Sequence, residues 1–346
     1  MKIVLYQEHD PTVHDRWNQY VLQKEGSCCY HLLDWKKIIQ TAFGLRTYYF
    51  YAEKEQGDIC GILPLVLSKS RLFGTFLTSV PFFNYGGILS DSLEIARLLL
   101  SRAVETAEEI HASHIELRHI ASYFPELPTK THKVRMVMPL KNNSQEIWDG
   151  FKSKLRSQIK KPMNEKLHVK FGKQELVDDF YRVFSTNMRD LGTPVWTKKI
   201  FMDTLQNMPS CCDICCVYLN DQAVGAGFLL GFKDTLEIWT ASTIRKYNHL
   251  SPNMLLYWSV IEFACQKGYK FFDFGRSSPD SGTYNFKKQW GAYPEVLHWQ
   301  YWLSHGDEMP CVNPQNPKYR LMISAWKKLP LAIANSIGPI ISRNIP

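Results

Sequence analysis

The chain has 346 residues, 45% of them hydrophobic and 21% charged, with a net charge of +8. That length gives a core to each of two domains, and the composition excludes wholesale disorder. The charge suits an anionic partner such as phosphate, RNA or lipid head groups, and falls short of a dedicated nucleic-acid binder.

Over the first 140 residues strand-like and helix-like segments alternate. A helix is expected at His31–Phe43, with Leu32, Leu33, Trp35, Ile38, Ile39 and Phe43 at helical spacing. Strands are expected at Thr47–Ala52, Asp58–Ser68 and Thr75–Val80. A long helix follows at Ser92–Ile110, capped by Asp91–Ser92, then strands at His114–Arg118 and Lys133–Leu140. The polar stretch Lys141–Gln145 marks a boundary. Beyond it Gln145–Lys166 reads as a basic helix broken or kinked at Pro162. Helices are expected at Leu176–Leu191, Thr197–Asn207 and Pro252–Lys267. Strands are expected at Ile214–Leu219, Ala223–Phe232, Leu236–Ala241, Phe271–Phe274 and Val296–Leu303.

The two halves repeat one order of elements. GDICGILPLVL, TSVPFFNYGG, a helix and HASHIELRH in the first half correspond to NDQAVGAGFLL, TASTIRKYNHLSPN, a helix and QKGYKFFDFGR in the second. Gly61 lies 55 positions before Glu116, and Gly225 lies 48 before Asp273. Identity is scant, but matched order suggests an internal duplication.

Other features point elsewhere. No apolar stretch reaches 18 residues unbroken, so no transmembrane helix is expected. MKIVLYQEHDP turns acidic too early for a signal peptide, and a cytoplasmic protein is expected. The nine cysteines have no framework spacing and read as reduced thiols. Within Cys211-Cys212-Asp213-Ile214-Cys215-Cys216, strand alternation sends the sulfurs to opposite faces, so small hydrophobes entering a sheet are favoured over a zinc site. No metal is expected.

The most specific stretch is FDFGRSSPDSGTYNFKKQWGA (272–292). With it go PFFNYGG (81–87), HIELR (114–118), FKSKLRSQIKK (151–161), NMRDLGTPV (187–195) and WKKLPLAIANSIGP (326–339). Together these resemble the FemAB family, GNAT-related proteins that transfer amino acids onto peptidoglycan precursors. The resemblance is closer still to the FemAB-like proteins encoded with exosortase (PEP-CTERM) exopolysaccharide systems. It covers nearly the whole chain and implies an α/β (α+β) fold of two tandem GNAT-like domains, each a mixed, mostly antiparallel sheet flanked by helices. The expected domains are 1–140, 141–305 and a basic, apolar tail, 306–346, docking on the first domain or on a membrane surface. The implied activity is that of an acyltransferase or aminoacyltransferase acting on an amine or hydroxyl of a cell-envelope glycan precursor. The rival is a non-catalytic GNAT-like module for glycan assembly or RNA binding.

Acyl transfer needs a neutral nucleophile, a stabilised oxyanion and a held donor. Lys287, in the Phe286-Lys287 pair that the resemblance associates with the donor site, is suited to a phosphate or the oxyanion. Asp273, set among phenylalanines, is either a general base or the structural partner of a residue such as Arg276. Arg276 is suited to clamping a phosphate or carboxylate, or else to an ion pair. Tyr284, Ser277 and Trp290 stand in the same run. Arg156 and Lys160 share a helix face that could steer an anionic substrate. Asn84 and Tyr85 open a Gly-Gly turn that permits close approach of a ligand. The loop 245–253, with Tyr247 and Asn253, holds the place of the GNAT pyrophosphate loop yet contains no Gly. This disfavours an ordinary acyl-CoA site and is neutral towards aminoacyl-tRNA. The donor stays open between aminoacyl-tRNA and acyl-CoA, no bound cofactor is expected, and the partners implied are that anionic donor and a glycan or lipid-linked precursor. The tail, with Trp326, Leu329, Leu331 and Ile333 beside Arg320, Lys327 and Lys328, either docks on the protein or lies on an anionic membrane.

Overall fold

The computed structural model describes residues 1–8, 10–70, 73–310 and 317–345. The first part of the chain runs β1 (Lys2–Leu5), α1 (Pro11–Gln23), α2 (Asp34–Phe43), β2 (Thr47–Glu53), β3 (Ile59–Ser70), β4 (Gly74–Thr78), β5 (Leu89–Ser90), α3 (Leu93–Glu109), β6 (His114–His119) and β7 (Thr129–Lys130). The second runs β8 (Val134–Pro139), α4 (Ser144–Gly150), α5 (Ser153–Asn164), β9 (Leu167–Gly172), α6 (Val177–Leu191), α7 (Lys198–Asn207), β10 (Cys212–Leu219), β11 (Gln222–Phe232), β12 (Thr235–Thr243), α8 (Pro252–Gln266), β13 (Phe271–Ser277) and α9 (Gly282–Lys288). It closes with β14 (Tyr293–Val296), β15 (His298–Leu303), α10 (Pro317–Trp326) and α11 (Leu331–Ser342).

Two sheets form, one per compact unit. The first has the order β1-β2-β3-β4-β6-β15-β7, with β5 added on β3; the second has β14-β8-β13-β12-β11-β10-β9. Read from opposite ends, the two orders coincide: three antiparallel neighbours, a long helix, then a strand joining in parallel. In the first sheet that junction is Phe76↔His114, Leu77↔Ile115 and Thr78↔Glu116. In the second it is Thr235↔Phe271, Leu236↔Phe272 and Glu237↔Asp273. The duplicated anchors Glu116 and Asp273 therefore occupy the same place, the last rung of a short parallel ladder. The fold is a tandem pair of GNAT-like mixed sheets flanked by helices.

Each sheet takes its next strand from the other side of the expected boundary at 140. The first consists of Met1–Val134 together with the segment beginning at Glu295; the second holds Arg135–Pro294 and both C-terminal helices. The expected boundaries at 140 and 305 differ from this division because β8 joins the second sheet and β15 the first. Periodicity marks a strand but not its neighbour. Both borrowed strands anchor the buried acid of the ladder. On β15, Tyr301 donates its hydroxyl to Glu116 Oε2 at 2.8 Å. On β8, Arg135 Nε donates to Asp273 Oδ2 at 2.6 Å.

Two local expectations are corrected. The basic segment after the boundary breaks at Phe151–Lys152, between α4 and α5, while Pro162 is held within the last turn of α5. Phe151 caps α4 in an extended conformation and buries its ring edge-on against Trp258 and Trp290, which fixes the turn there. The tail packs on the second unit, against α6 and the loop after it. Arg189 Nη1 donates to the Leu329 carbonyl at 3.0 Å. A Cβ on Gly192 would lie 2.5 Å from Ile323, and one on Gly338 3.0 Å from the Val195 nitrogen. The NMRDLGTPV segment is thus the seat of the tail. Part of the expected tail, 311–316, lies outside the described residues.

Of the cysteines, Cys212, Cys215 and Cys216 are buried on β10, and burial pushes their thiols up. Eight cysteines are free; Cys311 lies outside the described residues. No described helix is long and apolar enough to cross a membrane.

Candidate active site

Past Glu237 and Asp273 the ladder between β12 and β13 ends, although β12 runs on to Thr243 and β13 to Ser277. The strands part and leave a fork. Just beyond its base β12 bulges: Phe228 pairs with Thr240 but Leu229 with Ile238, so Trp239 is the extra residue. Backbone groups of β12 past this point have no ladder partner towards β13. Each arm also buries a hydroxyl with no hydrogen-bond partner among the described residues, Thr240 Oγ1 on β12 and Ser277 Oγ on β13. Buried polar atoms are nearly always satisfied, and a ligand held in the fork could supply partners for these two hydroxyls.

Four charged groups surround the base of the fork. Asp273 is fully buried. Its Oδ2 takes the Arg135 bond, and its Oδ1 accepts the Gly275 N–H at 2.7 Å. Glu237, its cross-strand neighbour, is also buried. Lys287 reaches in from α9, 7% exposed, and donates Nζ to the carbonyls of Gly275 (3.1 Å) and Arg276 (2.8 Å). Burial pulls this ammonium down to about 8, against the opposing pull of Asp273 and Glu237. The lysine therefore ties α9 to the end of β13. Ser281 sets the start of α9 by accepting the Tyr284 N–H at 3.2 Å, which directs Lys287 inward one turn later.

An aromatic floor lies beneath. Phe274 stacks on Tyr257 of α8, centroids 5.5 Å apart, and Tyr257 meets Phe286 edge-on at 5.0 Å. Trp290 is buried between Phe151 and Phe286, and its indole N–H has no partner among the described residues. Trp290 and Phe286 thus pack in the aromatic layer beneath the fork.

Several expected roles change. Asp273 has its oxygens bonded to Arg135 and Gly275, an arrangement suited to a structural anchor. Arg135 is a partner of Asp273, while Arg276 has an exposed side chain and its carbonyl receives Lys287. Lys287 holds backbone carbonyls instead of facing solvent as a free phosphate clamp. Tyr284 is half-buried, with Lys288 Nζ 5.9 Å from its ring centre. Arg135 gives no signal in the sequence: VRMVMP reads as an ordinary strand, and its acid lies 138 residues away.

Arg156 and Lys160 lie on α5 of the same unit and line a groove of about 580 Å³ with Ser153, Ser157 and Lys161. At the other end of the fork a tight turn, Arg245–Leu250, leads into α8 with Arg245, Lys246 and His249 exposed. Ser251 turns the chain through φ +58°, Pro252 starts α8, and no side chain caps its first turn. Tyr247 donates its hydroxyl to Gln222 at 2.8 Å, and Asn253 is half-buried in that first turn.

Asn84 and Tyr85 belong to the first unit. Tyr85 is 2% exposed and packs in the core, with Tyr30 edge-on at 5.6 Å. The adjoining glycines serve packing: a Cβ on Gly87 would lie 2.3 Å from the His119 ring, and one on Gly86 2.4 Å from Val80.

Residues 151–288 match the family model of the acetyltransferase (GNAT) domain. Among solved structures the chain is similar to FemX, with a TM-score of 0.64 at 13% identity over 87% of this chain and 97% of that one. It is similar to L-PGS from Bacillus licheniformis, with a TM-score of 0.56 at 11% identity over 93% and 97%. A tandem GNAT protein from the clavulanic acid biosynthesis pathway gives 0.54 at 10% identity over 88% and 98%. At these identities the likeness is one of fold. No curated protein matches the chain by sequence.

Proposed function

We propose that the second unit transfers an acyl or aminoacyl group from an anionic donor to an amine or hydroxyl, and that the acceptor is a cell-envelope glycan precursor of the peptidoglycan or exopolysaccharide kind. The observation that carries this reading is the fork between β12 and β13, opened at Glu237 and Asp273 and bordered by buried, unpaired hydroxyls. It lies within the segment that matches the GNAT domain.

In such a transfer the acceptor's lone pair attacks the donor carbonyl, and a tetrahedral oxyanion forms. Collapse expels the donor's thiolate or ribose hydroxyl, while the acceptor's proton leaves to solvent or to the leaving group. Backbone N–H groups along the unladdered edge of β12 are suited to the oxyanion. The uncapped first turn of α8, with Arg245 and Lys246 before it, suits the donor's phosphates. Lys287 fixes the opposite arm by its two carbonyl bonds and so sets the width of the opening. With Asp273 bonded to Arg135 and Gly275, we assign no general base among the described residues of the fork; the mechanism is then partly substrate-assisted.

The glycine-free loop 245–253 disfavours an ordinary acyl-CoA and leaves an aminoacyl-tRNA donor open. The test is binding of charged tRNA and of acyl-CoA to the purified protein over a salt series, with Lys287→Ala alongside. Saturable binding that requires the aminoacyl ester, lost in the variant, is the expected result. Tight acyl-CoA binding with only salt-sensitive tRNA binding makes it an acyl-CoA transferase. Binding of neither donor overturns the reading in favour of a non-catalytic module.

A further inference from the structure

The two C-terminal helices are built inside out. In α11 the residues facing the protein are small: Ala334, Gly338 and Ser342 are buried, and Gly338 lets the helix approach Val195 to backbone distance. Its outer face carries Ile333, Ile337, Ile340 and Ile341 at 48%, 38%, 57% and 37% exposure. These stand at i, i+4, i+7 and i+8, one stripe of a helix. A water-facing helix normally does the reverse, burying its large aliphatics and showing polar groups. Leu321 and Met322 of α10 are also strongly exposed.

Charge selects the occupant. Residues 309–346 contain no Asp or Glu and five cations, Lys318, Arg320, Lys327, Lys328 and Arg343. Arg320, Lys327 and Lys328 are exposed. A second copy of so one-sided a surface would repel the first. Branched aliphatics beside lysines and arginines match the acyl boundary and head groups of an anionic bilayer. We propose that the outer face of α11, with the Lys327–Lys328 pair, seats this protein on an anionic lipid surface. Inner-face packing on α6 and outer-face contact with lipid are then compatible, because each uses a different side of the helix. Pro339, in the last turn, does not interrupt the stripe.

The test is co-sedimentation of the full chain with phosphatidylcholine vesicles and with vesicles that also contain phosphatidylglycerol, at low and high salt. Binding to the phosphatidylglycerol vesicles, weakened by salt, is expected. I333Q/I340Q is expected to reduce it at least about tenfold, and K327E/K328E to remove the preference for the anionic lipid. Leu93→Gln, at an exposed leucine of the first unit, is expected to leave it unchanged. Thermal melts check that each variant is folded. Failure to sediment with either vesicle, equal binding to both, or wild-type binding by folded I333Q/I340Q overturns the proposal. A concentration-dependent dimer dissolved by I333Q/I340Q also overturns it, and assigns the face to self-association.

Discussion

Lys287 Nζ bonds the carbonyls of both Gly275 and Arg276, which lie two and three residues past the last rung of the parallel ladder at Asp273. A buried ammonium aimed at main-chain carbonyls, beside the Glu237–Asp273 rung, fixes where the fork opens.

Burial that lowers Lys287 to about 8 leaves a pH signature. Between about pH 8 and the unfolded value of 10.5 the unfolded chain holds a proton that the folded chain has released. Stability attributable to this group therefore rises with pH across that window and is constant below it. Comparing the urea midpoints of wild type and Lys287→Met over the window isolates this contribution, because the buried tyrosines and cysteines titrate equally in both. A difference that stays flat across the window would refute it.

Fully buried Asp273 pairs with half-buried Arg135, so removing the arginine strands a buried carboxylate. Asp273→Asn is expected to cost about 3–5 kcal/mol. Asp273→Asn combined with Arg135→Met is expected to cost less than the two single costs added together. A double-mutant cycle by urea unfolding measures the coupling; additive losses would show the pair to be independent.

In the first unit His119 is buried and accepts the Ile88 N–H at 3.1 Å. Desolvation brings it down to about 3 from 6.5. As pH falls between those values the unfolded chain gains a proton that the folded chain refuses, so stability falls by up to about 1.4 kcal/mol per pH unit. His119→Gln, which keeps an acceptor, is expected to flatten the acid limb of the stability curve. An unchanged limb would place the acid sensitivity elsewhere.

Gly338→Ala is expected to lift α11 from its seat, since the new methyl would meet Val195 backbone atoms at 3.0 and 3.2 Å. Overpacking of this kind costs about 1–3 kcal/mol. Faster hydrogen exchange across 331–342, with β10–β13 unchanged, is the expected readout. Equal protection in both proteins would mean that the seat tolerates the methyl.

Local signals recover most of the elements. Alternation and helical spacing mark β10 to β13 and α8, and matched spacing brings Glu116 and Asp273 into correspondence. Some structure is legible but easily passed over: Asp10 caps α1, Pro11 opens it, and Val13, Trp17 and Val21 bury its stripe. The rest is not local. That β15 lies on β6 and β8 on β13 depends on pairing, which a period of two cannot express. Arg135 looks like one more polar residue on a strand until Asp273 is found beneath it. Lys287 reads as a surface residue because lysine usually is one. In each case the sequence names the residue and only the packing names its partner.

The strand exchange governs synthesis. β6 gains its β15 neighbour only once residues 298–303 have been made, pairing Leu117 with Gln300. As the chain leaves the ribosome, the first sheet must wait with an open edge while the entire second sheet is translated. Loops that close so late fold slowly, and an unfilled edge invites mispairing. Chaperone demand during translation is therefore expected to centre on the earlier half, which is finished last.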